Sequence, residues 1–277
     1  MSSTRTTIGV REQPDPGLAA RYIFAEALIL EAGRVALDYF ERVETLVVHS
    51  KGPQDMASEA DLAVEALIQG RLAEQFPEDA FLGEETGDSG LDGADGVWVV
   101  DPIDGTQPFV NGLRTWCVSI AYVHLGRVLF GLVNNPAAGE LFAGARWLAA
   151  TRNGVPIQPY PATSLADGIT YLGASPRVTA DQVVPVLDRL LRAGGMFVRG
   201  GSGALGLCDV ACGRLIGYVE PHINSWDCLG AVAVLEAAGC LVNDFLAGDA
   251  LLKGNRIVAG PPAVYDQLVA LLNQSHS

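Results

Sequence analysis

The segment Trp98-Val-Val-Asp101-Pro-Ile-Asp104-Gly105-Thr106 holds the residues best suited to chemistry. A run rich in β-branched residues delivers two carboxylates, three positions apart, into a turn that closes on Gly-Thr. Like charges placed this way destabilise each other unless a cation lies between them. Gly105 permits close backbone approach to a ligand, and Thr106 adds a hydroxyl beside it. Asp101 directly follows Val97-Trp98-Val99-Val100, a poor position for meeting solvent, so it needs a partner. The pattern is that of a divalent-metal and phosphate site.

Other acids share this context. Glu84 and Glu85 end a short strand after Gly83, and Asp227 opens a predicted helix after the turn 221–225. Taken singly, Asp227 suits a helix N-cap or first-turn acid, and Glu84-Glu85 suits a solvated surface pair. Together the acids form a ligand set rich in carboxylate and poor in nitrogen and sulfur. Such a set selects Mg²⁺ or Mn²⁺ over zinc or copper. Two Mg²⁺ ions about 4 Å apart clamp a phosphoryl group and activate water. On this reading a water positioned by Glu84 and Thr106 attacks phosphorus, and the amides of Gly105 and Thr106 hold the phosphate.

Two groups of elements must bring these acids together. Apolar spacing predicts amphipathic helices over 18–40 and 58–76, with a short strand 46–48 and a Lys51-Gly52-Pro53 turn between them. Strands follow at 80–82, 97–100, 116–123, 128–133 and 140–145, read as an antiparallel meander, with a Gly- and Asp-rich loop over 86–96. The proline-bearing stretch 153–168 marks a subdomain junction. Beyond it strands (169–172, 196–198, 216–219, 241–242, 257–258) alternate with helices (181–192, 204–212, 226–238, 263–272), the pattern of a sheet covered by helices. The expected organisation is a frayed tail over 1–16, an α+β unit over 17–152 with most of the acids, and an α/β unit over 153–274 with Asp227.

Composition bounds the partners. The chain has 277 residues, 49% hydrophobic and 18% charged, enough for a large core and too few charges for disorder. Its net charge of −14 disfavours nucleic acid and anionic membranes. It would also repel a phosphate ester unless bound cations reversed the local sign. No run of about 20 apolar residues is present, so no transmembrane helix is expected. Five cysteines without a CxxC pair fit a reducing cytoplasm. Cys208 and Cys212, four apart on a predicted helix, suit a metal by spacing and a buried apolar role by residue type.

Haloacid-dehalogenase-type phosphatases also place aspartates and Gly-Thr at a strand end, but one residue separates their two acids. Here Pro-Ile separates Asp101 from Asp104. The chain instead resembles the inositol monophosphatase family, the lithium-sensitive, Mg²⁺-dependent sugar phosphatases, from about residue 18 to 272. Gly83-Glu84-Glu85 is similar to that family's GEE block and Asp101 to Thr106 to its DPIDGT block. Trp226-Asp227 with Gly230, followed by Glu236-Ala-Ala-Gly239, is similar to its WDxxxG and EAGG blocks. Asp55-Met-Ala-Ser58-Glu-Ala-Asp61 resembles its DLVTEAD helix start.

The resemblance implies a five-layer αβαβα sandwich, an α/β (layered α+β) fold. It implies that Glu84, Asp101, Asp104, Asp227 and the carbonyl of Ile103 bind two or three Mg²⁺ ions, with Mn²⁺ as a substitute. It makes Asp61 and Thr106 the pair that orients the attacking water, and Glu84 and Thr106 catalytic. Asp104, Gly105, Thr106, Gly201, Ser202, Gly203 and Glu220 become substrate contacts, Glu220 for ring hydroxyls. Departures cluster on the substrate side: Gln107-Pro108-Phe109 replaces Thr-Asn-Phe, Gly203 stands for Ala, and Cys228-Leu229 and Cys240 are unusual in their blocks. Ser58 replaces the usual Thr. His222 suits a general acid or, better, a turn-stabilising or substrate-contacting residue. His49 and His124 read as structural.

The expected activity is hydrolysis of a small polyol or sugar phosphate, with myo-inositol 1-phosphate favoured by Glu220. The same scaffold serves histidinol phosphate, fructose 1,6-bisphosphate and 3′-phosphoadenosine 5′-phosphate. A different class is a regulatory protein binding transcription machinery. A homodimer is expected, with the apolar meander 116–145 as the candidate interface.

Overall fold

The computed structural model describes residues 13–45, 48–52 and 55–273. Leu46 and Val47 of the expected strand, Pro53 of the expected turn and residues 1–12 of the expected tail lie outside them. The first unit contains α1 (Pro16–Phe40), β1 (Val48–Gly52), β2 (Asp55–Ser58), α2 (Glu59–Gln75), β3 (Ala80–Gly83), β4 (Gly87–Ser89), β5 (Gly96–Asp104), α3 (Thr106–Val110), β6 (Cys117–His124), β7 (Arg127–Asn135), β8 (Glu140–Ala145), β9 (Leu148–Arg152) and β10 (Val155–Pro156). The second contains β11 (Ile169–Leu172), α4 (Ala180–Arg192), β12 (Met196–Val198), α5 (Gly203–Ala211), β13 (Gly217–Ile223), α6 (Leu229–Ala238), β14 (Leu241–Val242), α7 (Ala250–Lys253), β15 (Asn255–Gly260) and α8 (Pro262–Asn273).

Local chemistry starts both long helices. Asp15 Oδ1 accepts from the N–H groups of Gly17 (2.8 Å) and Leu18 (3.0 Å), with Pro16 pre-set for the first turn of α1. Ser58 and Asp61 close a capping box on α2.

Eight strands form the first sheet, in the order β10-β9-β8-β7-β6-β5-β3-β4. From β5 to β8 it is the expected antiparallel meander, which β9 and β10 continue, but β3 pairs parallel to β5. The second sheet runs β12-β11-β13-β15-β14; its first three strands are parallel and β15 is antiparallel to β13. Helices α1 and α2 pack on one face of the first sheet, and α5 and α6 fill the space between the sheets. Helices α4 and α8 cover the outer face of the second sheet, completing five layers.

The period-two pattern of β5 serves both faces. Val97 and Val99 enter the core between the sheets, whereas Trp98 and Val100 enter the core under α1 and α2. A strand buried on both sides needs a continuous apolar run, which is why this one stands out in the sequence. The same double coverage removes the meander as a dimer interface. Strands β6 and β7 lie between α1 on one face and α6 on the other, and β8 packs on α6, with nearly all their residues buried. Exposed apolar side chains gather instead on the edge strand β12, at Met196 (63% exposed), Phe197 (45%) and Val198 (38%).

Several expected boundaries move. The loop over 86–96 contains β4, the strand expected at 216–219 runs on to Ile223, and the helix expected from 226 begins at Leu229. Strands β9 and β10 and the short helices α3 and α7 had no sequence counterpart.

Candidate functional site

Parallel pairing brings the first two acids together. Gly83 of β3 lies opposite Val100 of β5, so Glu84 and Asp101, the next residue on each strand, emerge side by side. The N–H of Glu84 donates to the carbonyl of Val100 at 3.3 Å. Past Asp101 the ladder with β6 slips: Asp101 faces Ser119, but Asp104 faces Cys117. Three steps along β5 thus match two along β6. This is a bulge at Pro102, which has no N–H to give a ladder, and bulges re-aim side chains. The Ile103 N–H turns back to Asp101 Oδ1 at 3.0 Å. Gly105 then takes φ +96°, and a Cβ there would meet the Thr115 carbonyl at 2.8 Å.

The third acid comes from the second unit. Asp227 sits in the turn between β13 and α6, where its Oδ2 accepts from the Asn224 N–H at 3.2 Å. One ligand oxygen from each of Glu84, Asp101 and Asp227 lies within 4.8 Å of the others, the only such convergence of metal-ligating side chains among the described residues. Cys208 and Cys212 make no such group; the Cys212 thiol lies 3.6 Å from the carbonyl of Asp209.

Burial, then the charges of Glu84, Asp104 and Asp227, holds the Asp101 carboxyl well above the usual carboxylate range. Burial also raises Asp227. Among the described residues, Oδ2 of Asp101 is buried with no hydrogen-bond donor, and its carboxyl lies against that of Asp227. An orphaned acceptor among convergent carboxylates is costly as it stands. A hard divalent cation would satisfy it, so the donor set fits Mg²⁺ or Mn²⁺.

Asp104 is held differently. It accepts from Ser202 Oγ (2.5 Å), Ala204 N (2.7 Å) and Gly203 N (3.2 Å), which places its carboxylate at the N-terminus of α5. Burial and Asp227 push it up to about 7 against these bonds. Ser202 is 1% exposed and faces Asp104 rather than the cleft; Gly201 and Gly203 line the cleft. Thr106 Oγ1 sits 3.3 Å from Asp61 Oδ1 and 3.2 Å from the Ile103 carbonyl. Asp61 is fully buried behind it and is pushed up to about 6 by that burial.

Above these acids opens a cleft of about 680 Å³. Its far wall carries Glu220, 4% exposed, which accepts from the Tyr218 hydroxyl at 2.6 Å. Burial pushes the Glu220 carboxyl up to about 8. Tyr218 stacks on Tyr171 with ring centroids 4.8 Å apart. Among the described residues, the cleft lining carries two cationic side chains, Arg177 and Arg199. His222 does not reach the cleft: its Nε2 lies 2.9 Å from the Lys253 carbonyl, which makes it the turn-stabilising residue rather than an acid for the leaving group.

Sequence reasoning missed Tyr171, Arg177, Arg199 and, beneath the cleft, Glu65. The two arginines lie on loops without periodicity, so no pattern marked them. Glu65 had a faint signal, since it stands four residues after Asp61 and so shares its face of α2.

Comparison with known proteins places this geometry in context. Residues 18–277 match the model of the inositol monophosphatase family. The Nus factor SuhB of Haemophilus influenzae is 32% identical over 242 residues, covering 86% of this chain and 90% of that protein. The histidinol-phosphatase of Chlorobaculum parvum is 32% identical over 243 residues, covering 87% of this chain and 92% of that protein. The solved structure of inositol monophosphatase from Anabaena (Nostoc) superposes with a TM-score of 0.80 at 31% identity, covering 94% of this chain and 98% of that one.

Proposed function

The chain belongs to the inositol monophosphatase family, and from that premise we propose that it is a Mg²⁺-dependent phosphomonoesterase whose leading substrate is myo-inositol 1-phosphate. The observation that carries the reading is the convergence of Glu84, Asp101 and Asp227 beneath the cleft, with no described residue donating to Asp101 Oδ2. Glu84, Asp101, Asp104, Asp227 and the Ile103 carbonyl would hold two or three ions. Bound Mg²⁺, or Mn²⁺ in its place, supplies positive charge to the phosphoryl oxygens and lowers the pKa of water.

The chain's own groups do the rest. Thr106, backed by Asp61, orients the attacking water, and Glu84 shares that task. The backbone N–H groups of Gly105 and Thr106 face the phosphate. Glu220 and Tyr218 meet the hydroxyls of the polyol from the far wall. Water attacks phosphorus directly and no phosphoenzyme forms. We further propose inhibition by lithium, a cytoplasmic location, and a homodimer paired through the β12 edge rather than the meander.

Phosphate release from inositol 1-phosphate, histidinol phosphate, fructose 1,6-bisphosphate and 3′-phosphoadenosine 5′-phosphate, with Mg²⁺ and with chelator, tests the reading. Metal-dependent release led by inositol 1-phosphate is expected. No release from any ester would sink the enzyme assignment, and preference for histidinol phosphate would move the substrate toward that of the Chlorobaculum relative. The name of the Haemophilus relative supports a second reading, a regulatory protein that binds transcription machinery. A stable complex of Asp101→Asn with RNA polymerase would favour it.

A further inference from the structure

The carboxylate of Glu65 lies outside the ligand set, is fully buried, and projects from the inner face of α2 one turn after Asp61. Oε2 accepts from the N–H of Glu85 at 2.9 Å, and Oε1 from the N–H of Thr86 at 2.7 Å. Both bonds go to consecutive amides of the tight turn that joins β3 to β4, and that turn also contains Glu84. On its other side the turn is tied to β5 by the bond from Glu84 N to Val100 O. Gly83 leaves room for this arrangement, because a Cβ there would lie 2.5–2.7 Å from the Glu65 carboxyl atoms.

A buried carboxylate is costly, and two charge-assisted bonds to backbone amides are what offset it. Residue type matters here. A carboxylate accepts at both oxygens, whereas a carboxamide would turn an NH₂ against one of the two amides. We propose that Glu65 is a positioning residue that clamps the Glu84 turn from behind and so sets Glu84 against Asp101 and Asp227 for metal binding. The inference rests on the metal-centre reading above and adds a part to it: α2 supports the site twice, through Asp61 beneath Thr106 and through Glu65 beneath Glu84.

Titration of the full-length protein with Mn²⁺, followed by the electron paramagnetic resonance signal of the free ion, tests this without recourse to turnover. Glu65→Gln is expected to bind Mn²⁺ about 10–100-fold more weakly than wild type, the usual range for loss of a group that orients a ligand. At saturating metal its KM for the phosphate ester should stay at the wild-type value, a split that general loosening of the fold would not give. Gly83→Ala perturbs the same clamp from the opposite side and should weaken Mn²⁺ in the same direction, which decides the matter if Glu65→Gln does not fold. Wild-type affinity in either folded variant overturns the clamp. A wild-type protein that takes up no Mn²⁺ overturns the metal reading itself.

Discussion

The floor and the far wall of the cleft hold their acids in different ways. On the floor, the ends of β3 and β5 present carboxylates fixed by short-range backbone geometry: parallel pairing for Glu84 and Asp101, a bulge after Asp101, and a capping box for Asp61. The side chains that converge there are carboxylates with the Thr106 hydroxyl beside them, groups suited to metal and phosphate, which every phosphate ester shares. On the wall, Glu220 sits in an aromatic setting of Tyr218 and Tyr171, with Arg177 and Arg199 on the lining. The wall offers hydrogen bonds and charge of varied kind and no convergent metal ligands beyond Asp227. The two therefore divide unevenly along the chain: apart from Asp227, the acids of the floor come before residue 107, and the wall comes after residue 170.

The sharpest way to break that contrast is on the floor. Asp101→Asn should cut phosphate release about 10³-fold for every substrate in a panel, since metal-borne stabilisation is worth several kcal/mol; a loss confined to one ester would contradict the division. Next, Thr106→Ala should lower kcat about 10²-fold with KM little changed, as expected for a group that positions the nucleophile. A KM rise of the same size would make it a ground-state contact instead.

The wall should respond more weakly and unevenly. Glu220→Gln should raise KM about tenfold for a polyol phosphate, the worth of a hydrogen bond or two, and leave a simple aryl phosphate untouched. The same variant carries a pH signature. Glu220 has an ordinary value of 4.5 and titrates at about 8 in the fold. Between these values the folded protein keeps a proton that the unfolded chain has released, so wild-type stability falls as pH rises. Glu220→Gln does not titrate, and its melting temperature relative to wild type should climb from about pH 5 to about pH 8. A constant offset would place the carboxyl in a more polar setting. The smallest effect on turnover belongs to Phe197→Lys on β12, which should shift a dimer to monomer in sedimentation and change kcat less than about twofold. Intact dimers would return the interface to another surface.

What was legible in the sequence varies within the floor itself. Val97 to Val100 announced itself because burial on both faces demands an apolar run. Its extension to Asp104 did not, because Pro102 interrupts the ladder and the bulge leaves no periodic trace. Strand β4 is written in Gly, Asp and Ser, which have low strand propensity; its pairing with β3 imposes the conformation. Asp227 was expected to open a helix, yet α6 starts two residues later and leaves it in a turn. Asp61 was recoverable through the family resemblance alone, since a buried helix acid looks like an exposed one until the neighbouring elements are in place. Glu65 stayed hidden for that same reason.

The bond from Ala204 N to Asp104 joins residues 100 positions apart, and this has a consequence for synthesis on the ribosome. A nascent chain ending near β10 has the segments to pair the whole first sheet, but α5 and the Asp227 turn are still to be made. Long-range closures of this kind come late in folding. Emerging chains should thus hold acidic strand ends that grip metal poorly, and full affinity should appear only once the second half has been translated and has docked.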